Sequence, residues 1–141
     1  MDPRVGVGIF VFKNKKFIMG CRKGAHGAVS WSVPGGNLDF GETIEKAAKR
    51  EVFEETNLII NNVKIIGFTN DVFKKEHKHY VTIWTTGEWL KGKYKIREPD
   101  KFLELGWYDF NHLPKPLFLP WKQLLKSDFL TIIKQALQKS N

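Results

Sequence analysis

Residues 36–58 constrain this chain more than any other segment. The diglycine Gly35-Gly36 leads through a short loop into a stretch carrying Glu42, Arg50, Glu51, Glu54 and Glu55. Thr43 can cap a helix here, because its hydroxyl can accept a backbone N–H of the first turn. Asn57 can end it, since Asn tolerates the left-handed conformation common at helix C-termini. At about 100° per residue, Glu51 and Glu55 project within about 40° of each other. Ile44 projects between them and Ala48 beside them, so two acids share the stripe that should face the core. Glu54 flanks that stripe near Ala47. Like charges at this helical spacing repel, and carboxylates beside an apolar face are costly unless paired or coordinated. Two answers are open. A hard divalent cation with oxygen ligands can sit among the acids, or the acids form a solvated face partnered by Lys46, Lys49 and Arg50. The glycines favour the first, because they let backbone approach a phosphate or an ion closely.

The rest of the chain reads as strands around this helix. Residues 5–12 are β-branched and aromatic, 13–16 read as a hairpin turn and 17–21 as the return strand. Residues 23–30 contain Gly24 and Gly27 and read as a loop, and 31–33 as a short strand ended by Pro34-Gly35-Gly36. Beyond the helix, 58–73 holds one or two strands with a break at Asn61-Asn62, 79–89 reads as one long strand, 91–99 as a basic loop and 102–108 as a further strand. Residues 114–120 read as a rigid apolar connection. Ser127 is expected to cap a final helix with Phe129, Ile133, Ala136 and Leu137 facing the core. That order predicts an α+β fold with a mixed sheet, not a βα repeat.

With 141 residues and 42% hydrophobic content, the expectation is one globular domain over 1–141. The net charge of +8 favours anionic partners such as nucleotides, nucleic acid or anionic membrane surfaces. One cysteine, Cys21, excludes an internal disulfide and a cysteine zinc cluster. No apolar stretch approaches the roughly 20 residues needed to span a bilayer. The N-terminus enters a strand pattern at once, without a signal-peptide cleavage region, so the expected location is cytoplasmic.

Gly36-x5-Glu42-x7-Arg50-Glu51-Val52-x-Glu54-Glu55-x-Asn57-Leu58 resembles the Nudix box, Gly-x5-Glu-x7-Arg-Glu-apolar-x-Glu-Glu-x-Gly-apolar. Every specified position matches except Asn57, which stands where the family has glycine. A pattern with this many fixed positions is specific, unlike a lone glycine motif. The resemblance implies the Nudix fold, an α/β/α sandwich around a mixed sheet. It also implies hydrolysis of a nucleoside diphosphate linked to another group, with Mg2+ as cofactor or Mn2+ in its place. By position, Glu51 and Glu55 bind the metal, with Glu54 a further ligand or the base. The Gly35 carbonyl is another ligand, and Arg50 orients the glutamates through bidentate hydrogen bonds. Glu42 supports the loop. The implied chemistry is attack by a metal-activated water that gives its proton to a glutamate. A base or extra ligand outside the box has candidates in Glu98, Asp100 and Glu104.

Over nearly its full length the chain is similar to MutT-like nucleoside triphosphate diphosphatases, and more narrowly to eukaryotic MutT homologues and their plant cytosolic relatives. The likeness rests on Pro3-Arg-Val-Gly-Val-Gly, Arg22-Lys23-Gly24, Pro34-Gly-Gly-Asn-Leu-Asp-Phe-Gly-Glu-Thr43, His79-Tyr-Val-Thr82 and Leu113-Pro-Lys-Pro-Leu-Phe118. It implies cleavage of a nucleoside triphosphate, oxidised or modified purine forms included, to monophosphate and pyrophosphate, and a homodimeric assembly. NADH, ADP-ribose and dihydroneopterin triphosphate are the alternative substrates within the family. Leu117, Phe118 and Leu119 would border the base, where Phe118 either stacks on a purine or anchors the C-terminal helix. Gly36 gives phosphate a close backbone approach. Arg22 and Lys23 either meet the triphosphate or form a surface basic pair, and Thr82 either faces the pocket or is an ordinary strand residue. His26, His77, His79 and His112 lack a short ligand spacing, although His77 and His79 share a face of one expected strand. Trp31, Trp84, Trp89, Trp107 and Trp121 are expected in the core or at an interface. A rival reading is a Nudix-fold nucleic-acid-binding module without catalysis, drawn from the net charge and the loop Lys91-Gly-Lys-Tyr-Lys-Ile-Arg97. Retention of every box glutamate speaks against it.

Overall fold

The computed structural model describes residues 2–24 and 29–141. Its elements run β1 (Arg4–Lys13), β2 (Lys16–Lys23), β3 (Val29–Ser32), β4 (Gly35–Asn37), α1 (Ile44–Thr56), β5 (Ile59–Phe73), β6 (Lys78–Lys91), β7 (Phe102–Tyr108), α2 (Leu119–Leu125) and α3 (Phe129–Lys139). The expected hairpin forms between β1 and β2 on Asn14 and Lys15, both at positive φ, the backbone that suits a twisted two-residue turn.

One sheet holds the molecule together in the order β3-β2-β1-β6-β5, with β4 also paired to β1 and β7 to β2. β1 and β6 are parallel and the other pairs antiparallel, so the sheet is mixed. β1 pairs with β2 at Phe12↔Phe17 and Lys13↔Lys16, whereas its first half takes β4 as neighbour through Gly6↔Asn37, Val7↔Gly36 and Gly8↔Gly35. The sheet therefore forks, and the fork seats the diglycine on the central strand.

Strand alternation sorts the core into two layers. Val7, Ile9 and Val11 of β1 face α1 and pack with Ala47, Ala48, Val52, Leu58 and Ile60. Phe10 and Phe12 face the other way and pack with Trp84, with Trp121 and Leu124 of α2, and with Ile133 and Leu137 of α3. Helices thus cover both faces, giving the expected α+β, α/β/α layering.

Several local expectations need correction. Pro34-Gly35-Gly36 does not simply end a strand, because Gly35 and Gly36 form β4. The break at Asn61-Asn62 is a slip within one strand: Asn62 has φ 51° and the β5–β6 register shifts between Asn61 and Lys64. His77 lies in the turn before β6, at φ 54°, so it shares no strand face with His79. The apolar connection runs into a helix that was not expected, α2, with Phe118 as its N-cap and Pro120 in the first turn, where a missing N–H costs nothing. Ser127 does not cap α3. Asp128 precedes that helix, and the Ser127 hydroxyl donates to the Leu124 carbonyl. Of the loop expected over 23–30, residues 25–28, His26 among them, lie outside the described residues. Trp31, Trp84 and Trp121 are buried. Trp89 and Trp107 are half-buried and flank the Lys13 ammonium at 3.9 and 5.8 Å.

Candidate active site

Helix α1 is fastened at both ends. Thr43 Oγ1 accepts the Lys46 N–H at 3.1 Å. Asn57 closes the helix at φ 69° and donates its N–H to the Phe53 carbonyl. Its side chain also donates to Lys93 O, a tie that glycine could not make. The basic loop wraps this end: Lys95 N–H donates to Thr56 O, and Arg97 donates to Phe53 O and stacks on the Phe53 ring. Orphan carbonyls and the negative end of the helix dipole are thereby satisfied. Of the loop's basic side chains, Arg97 is thus used within the fold.

The glutamates lie where the helical projection put them. Glu51 is 7% exposed and Glu55 fully buried, while Glu54 is half-exposed. Arg50 fans across the cluster. Its Nε and Nη2 fork onto the Glu42 carboxylate at 2.6 and 2.9 Å, and Nη1 reaches Glu51 at 2.8 Å. Nη1 meets Glu54 at only 3.3–3.5 Å, and Nη2 also donates to Asn37 O. The Arg50 hydrogen bonds hold Glu42 down to a pKa of about 2 and push the Arg50 value up. Glu42 in turn accepts the Asp39 N–H, so it acts on the loop, as expected.

The diglycine serves the carboxylates directly. A Cβ on Gly36 would lie 2.4 Å from Glu51 Oε1, and one on Gly35 would lie 2.4 Å from Val7 O. Gly35 N–H donates to Glu55 Oε1 at 2.9 Å. On its other oxygen Glu55 takes the Lys101 ammonium at 2.5 Å. Burial pushes the Glu55 pKa up to about 7, against the opposing pull of Lys101 and the Gly35 N–H. Among the described residues no three His, Cys, Asp or Glu side chains converge as a ready chelate. Two buried, all-oxygen carboxylates beside exposed backbone nevertheless fit magnesium, which usually takes one or two carboxylates and fills the rest with water and phosphate.

The residues expected at the substrate separate into two groups. Arg22, on β2, lies 4.0 Å from the centroid of the Phe118 ring, and Phe118 stacks against Phe73 at 5.5 Å. Burial lowers the Arg22 pKa, while Glu55, Tyr80 and Glu51 raise it. Arg22 thus lies on an aromatic ring within the electrostatic reach of Glu55 and Glu51. Thr82 is buried, and its hydroxyl donates to Asp71 at 2.6 Å. Lys23 is exposed at the end of β2. Leu117 packs on the core and bridges to Trp31, and Leu119 opens α2.

Two residues escaped the sequence reading. Lys101 neighbours Asp100, which was a candidate, but Lys101 is the residue that reaches the box. Asp71 sits in a strand where nothing local marks it. Of the outside candidates, Asp100 and Glu104 are exposed, and Glu98 is half-buried with Oε1 lacking a hydrogen-bond partner among the described residues. His79 pairs with Asn70 and His112 with Asp109, so neither joins a metal set. No helix among the described residues is long and apolar enough to cross a membrane.

Comparison with known proteins bears on the same segment. The sequence matches the NUDIX domain family over residues 2–128. An ADP-ribose pyrophosphatase of Methanocaldococcus jannaschii is 30% identical over 118 residues, which cover 84% of this chain and 69% of that one. The crystal structure of a MutT Nudix hydrolase from Burkholderia pseudomallei is similar at TM-score 0.79 and 27% identity, covering 88% of this chain and 99% of its own. An ADP-ribose pyrophosphatase from Streptococcus suis shares the fold at TM-score 0.71 and 19% identity, covering 99% and 95%. These neighbours are archaeal and bacterial and lend no support to the narrower eukaryotic and plant likeness. With the box intact on its helix and the family matched over most of its length, the chain belongs to the Nudix family and is a pyrophosphohydrolase.

Proposed function

We propose that this protein hydrolyses a nucleoside triphosphate, with oxidised or modified purine forms among its substrates, to the monophosphate and pyrophosphate. The observation that carries the reading is the acid cluster of α1: two buried carboxylates one turn apart, a glycine pressed against one of them, and an arginine fork holding the loop. Magnesium, with manganese as substitute, would be held by Glu51 and Glu55 with the Gly35 carbonyl, and would supply Lewis-acid polarisation of a phosphate oxygen.

The chain's own groups divide the remaining work. Arg50 holds Glu51 and Glu42 in place and contacts Glu54 only loosely, so Glu54 is free to take the proton of the attacking water. Arg22, whose charge is felt by Glu55 and Glu51, would meet the phosphate chain. Phe118 offers its ring to a base. The Methanocaldococcus jannaschii relative supports a second reading, in which the cleaved anhydride belongs to ADP-ribose or another nucleoside diphosphate derivative. A panel of canonical and oxidised triphosphates, dihydroneopterin triphosphate, NADH and ADP-ribose, assayed with magnesium, separates the two. Pyrophosphate released from a nucleoside triphosphate as the dominant product supports the first. Turnover confined to the diphosphate derivatives replaces it with the second.

A further inference from the structure

Asp71, on β5, is fully buried. Its Oδ2 accepts the Thr82 hydroxyl at 2.6 Å and the Thr69 hydroxyl at 3.0 Å. Trp84 Nε1–H donates to Thr69 Oγ1 at 3.0 Å, which leaves the Thr69 hydrogen for Asp71 and fixes the direction of the chain. Oδ1 has no partner among the described residues. Buried carboxylate oxygens are ordinarily satisfied, and an exception needs a cause.

The position supplies one. Asp71 is the register partner of Tyr80, Thr69 of Thr82, and Thr82 of Gly6, so all five share one face of the sheet. A Cβ on Gly6 would lie 3.5 Å from Tyr80, 3.7 Å from Gly36 O and 3.9 Å from Thr82 Oγ1. Gly36 is the residue pressed against Glu51. Gly36 shares the register of Val7 and so faces α1 and Glu51, while Gly6 lies on the opposite face with Tyr80, Thr82 and Asp71. The two sides adjoin at the Gly36 carbonyl. Tyr80, Phe73 and Phe118 form an aromatic series along the same region, and Arg22 lies on Phe118.

We infer that Asp71 is a specificity-determining residue, whose Oδ1 receives the exocyclic 2-amino N–H of a purine base when the phosphates engage α1. This rests on the nucleotide-hydrolase reading above. An acceptor-only group selects a base edge rich in donors, and guanine, with adjacent ring N–H and amino groups, is the purine that matches.

The test compares GTP with ITP, which differ only in the 2-amino group, in the wild type and in Asp71→Asn. The wild type is expected to favour GTP in kcat/KM by about 10- to 100-fold. Asp71→Asn is expected to erase that preference through KM, with kcat little changed. GMP and IMP binding, followed by calorimetry without turnover, should show the same loss. A wild-type ratio near one overturns the inference even if the variant fails to fold. So does a folded Asp71→Asn protein that keeps the GTP preference. If no nucleotide is hydrolysed, the proposed reaction fails, and GMP against IMP binding still decides the role of Asp71.

Discussion

Glu55 and Asp71 are both fully buried acids, and they are satisfied in different ways. Glu55 meets a full positive charge on one oxygen and a backbone N–H on the other. Asp71 meets two hydroxyls on one oxygen and, among the described residues, nothing on the other. Burial raises both pKa values. The difference is instructive: under the two proposals above, a cation beside Glu55 would preserve charge for chemistry, whereas dipoles around Asp71 would hold an acceptor still for recognition. Changes near Glu55 should slow every substrate alike, and changes near Asp71 should alter the choice among substrates.

The largest effect that sharpens this contrast is expected from Gly36→Ala. The new methyl would displace the Glu51 carboxylate, and a misplacement of that size costs on the order of 100-fold in kcat/KM. Steady-state kinetics should show the loss equally for GTP and ITP. An unequal loss would break the division between the two regions.

Lys101→Met is the next largest. It leaves Glu55 without its cation, at a cost of about 1–3 kcal/mol at pH 8, below the value for a sealed pair because Lys101 is partly exposed. The sign follows from the pKa of about 7 in the folded protein. A carboxyl raised above its unfolded value binds more protons when folded, so stability falls as pH rises through that range. Removing Lys101 raises the value further. Thermal melts should show a small gap from wild type at pH 5, where Glu55 is protonated in both, and a wider gap above pH 7. A gap of constant size would mean that Lys101 acts by packing alone.

Thr82→Val should do least to the rate. It removes one of two donors to Asp71 and should cost about 1 kcal/mol in denaturant unfolding, with kcat near wild type. A large fall in kcat would place Thr82 in the chemistry.

The acid cluster was legible in the sequence because helical periodicity is local. Thr43, Asn57 and the shared stripe of Glu51 and Glu55 follow from spacing alone, and the box pattern named the rest. The fold class was legible for the same reason, since alternation marks each strand. Lys101 and Asp71 were not legible. Lys101 reaches Glu55 across 46 residues, and the buried state of Asp71 depends on the pairing of β5 with β6 and of β6 with β1. Helix α2 was missed because Pro114, Pro116 and Pro120 read as an extended linker, while Trp121 and Leu124 were supplying a helical core face.

The central claim is that the carboxylates of α1 perform pyrophosphate cleavage. The most direct test is the magnesium-dependent release of pyrophosphate from GTP by Glu54→Gln, with folding confirmed by its melt. The account predicts a fall in kcat of about 10^2- to 10^4-fold, and a Glu54→Gln protein that turns over at the wild-type rate contradicts it.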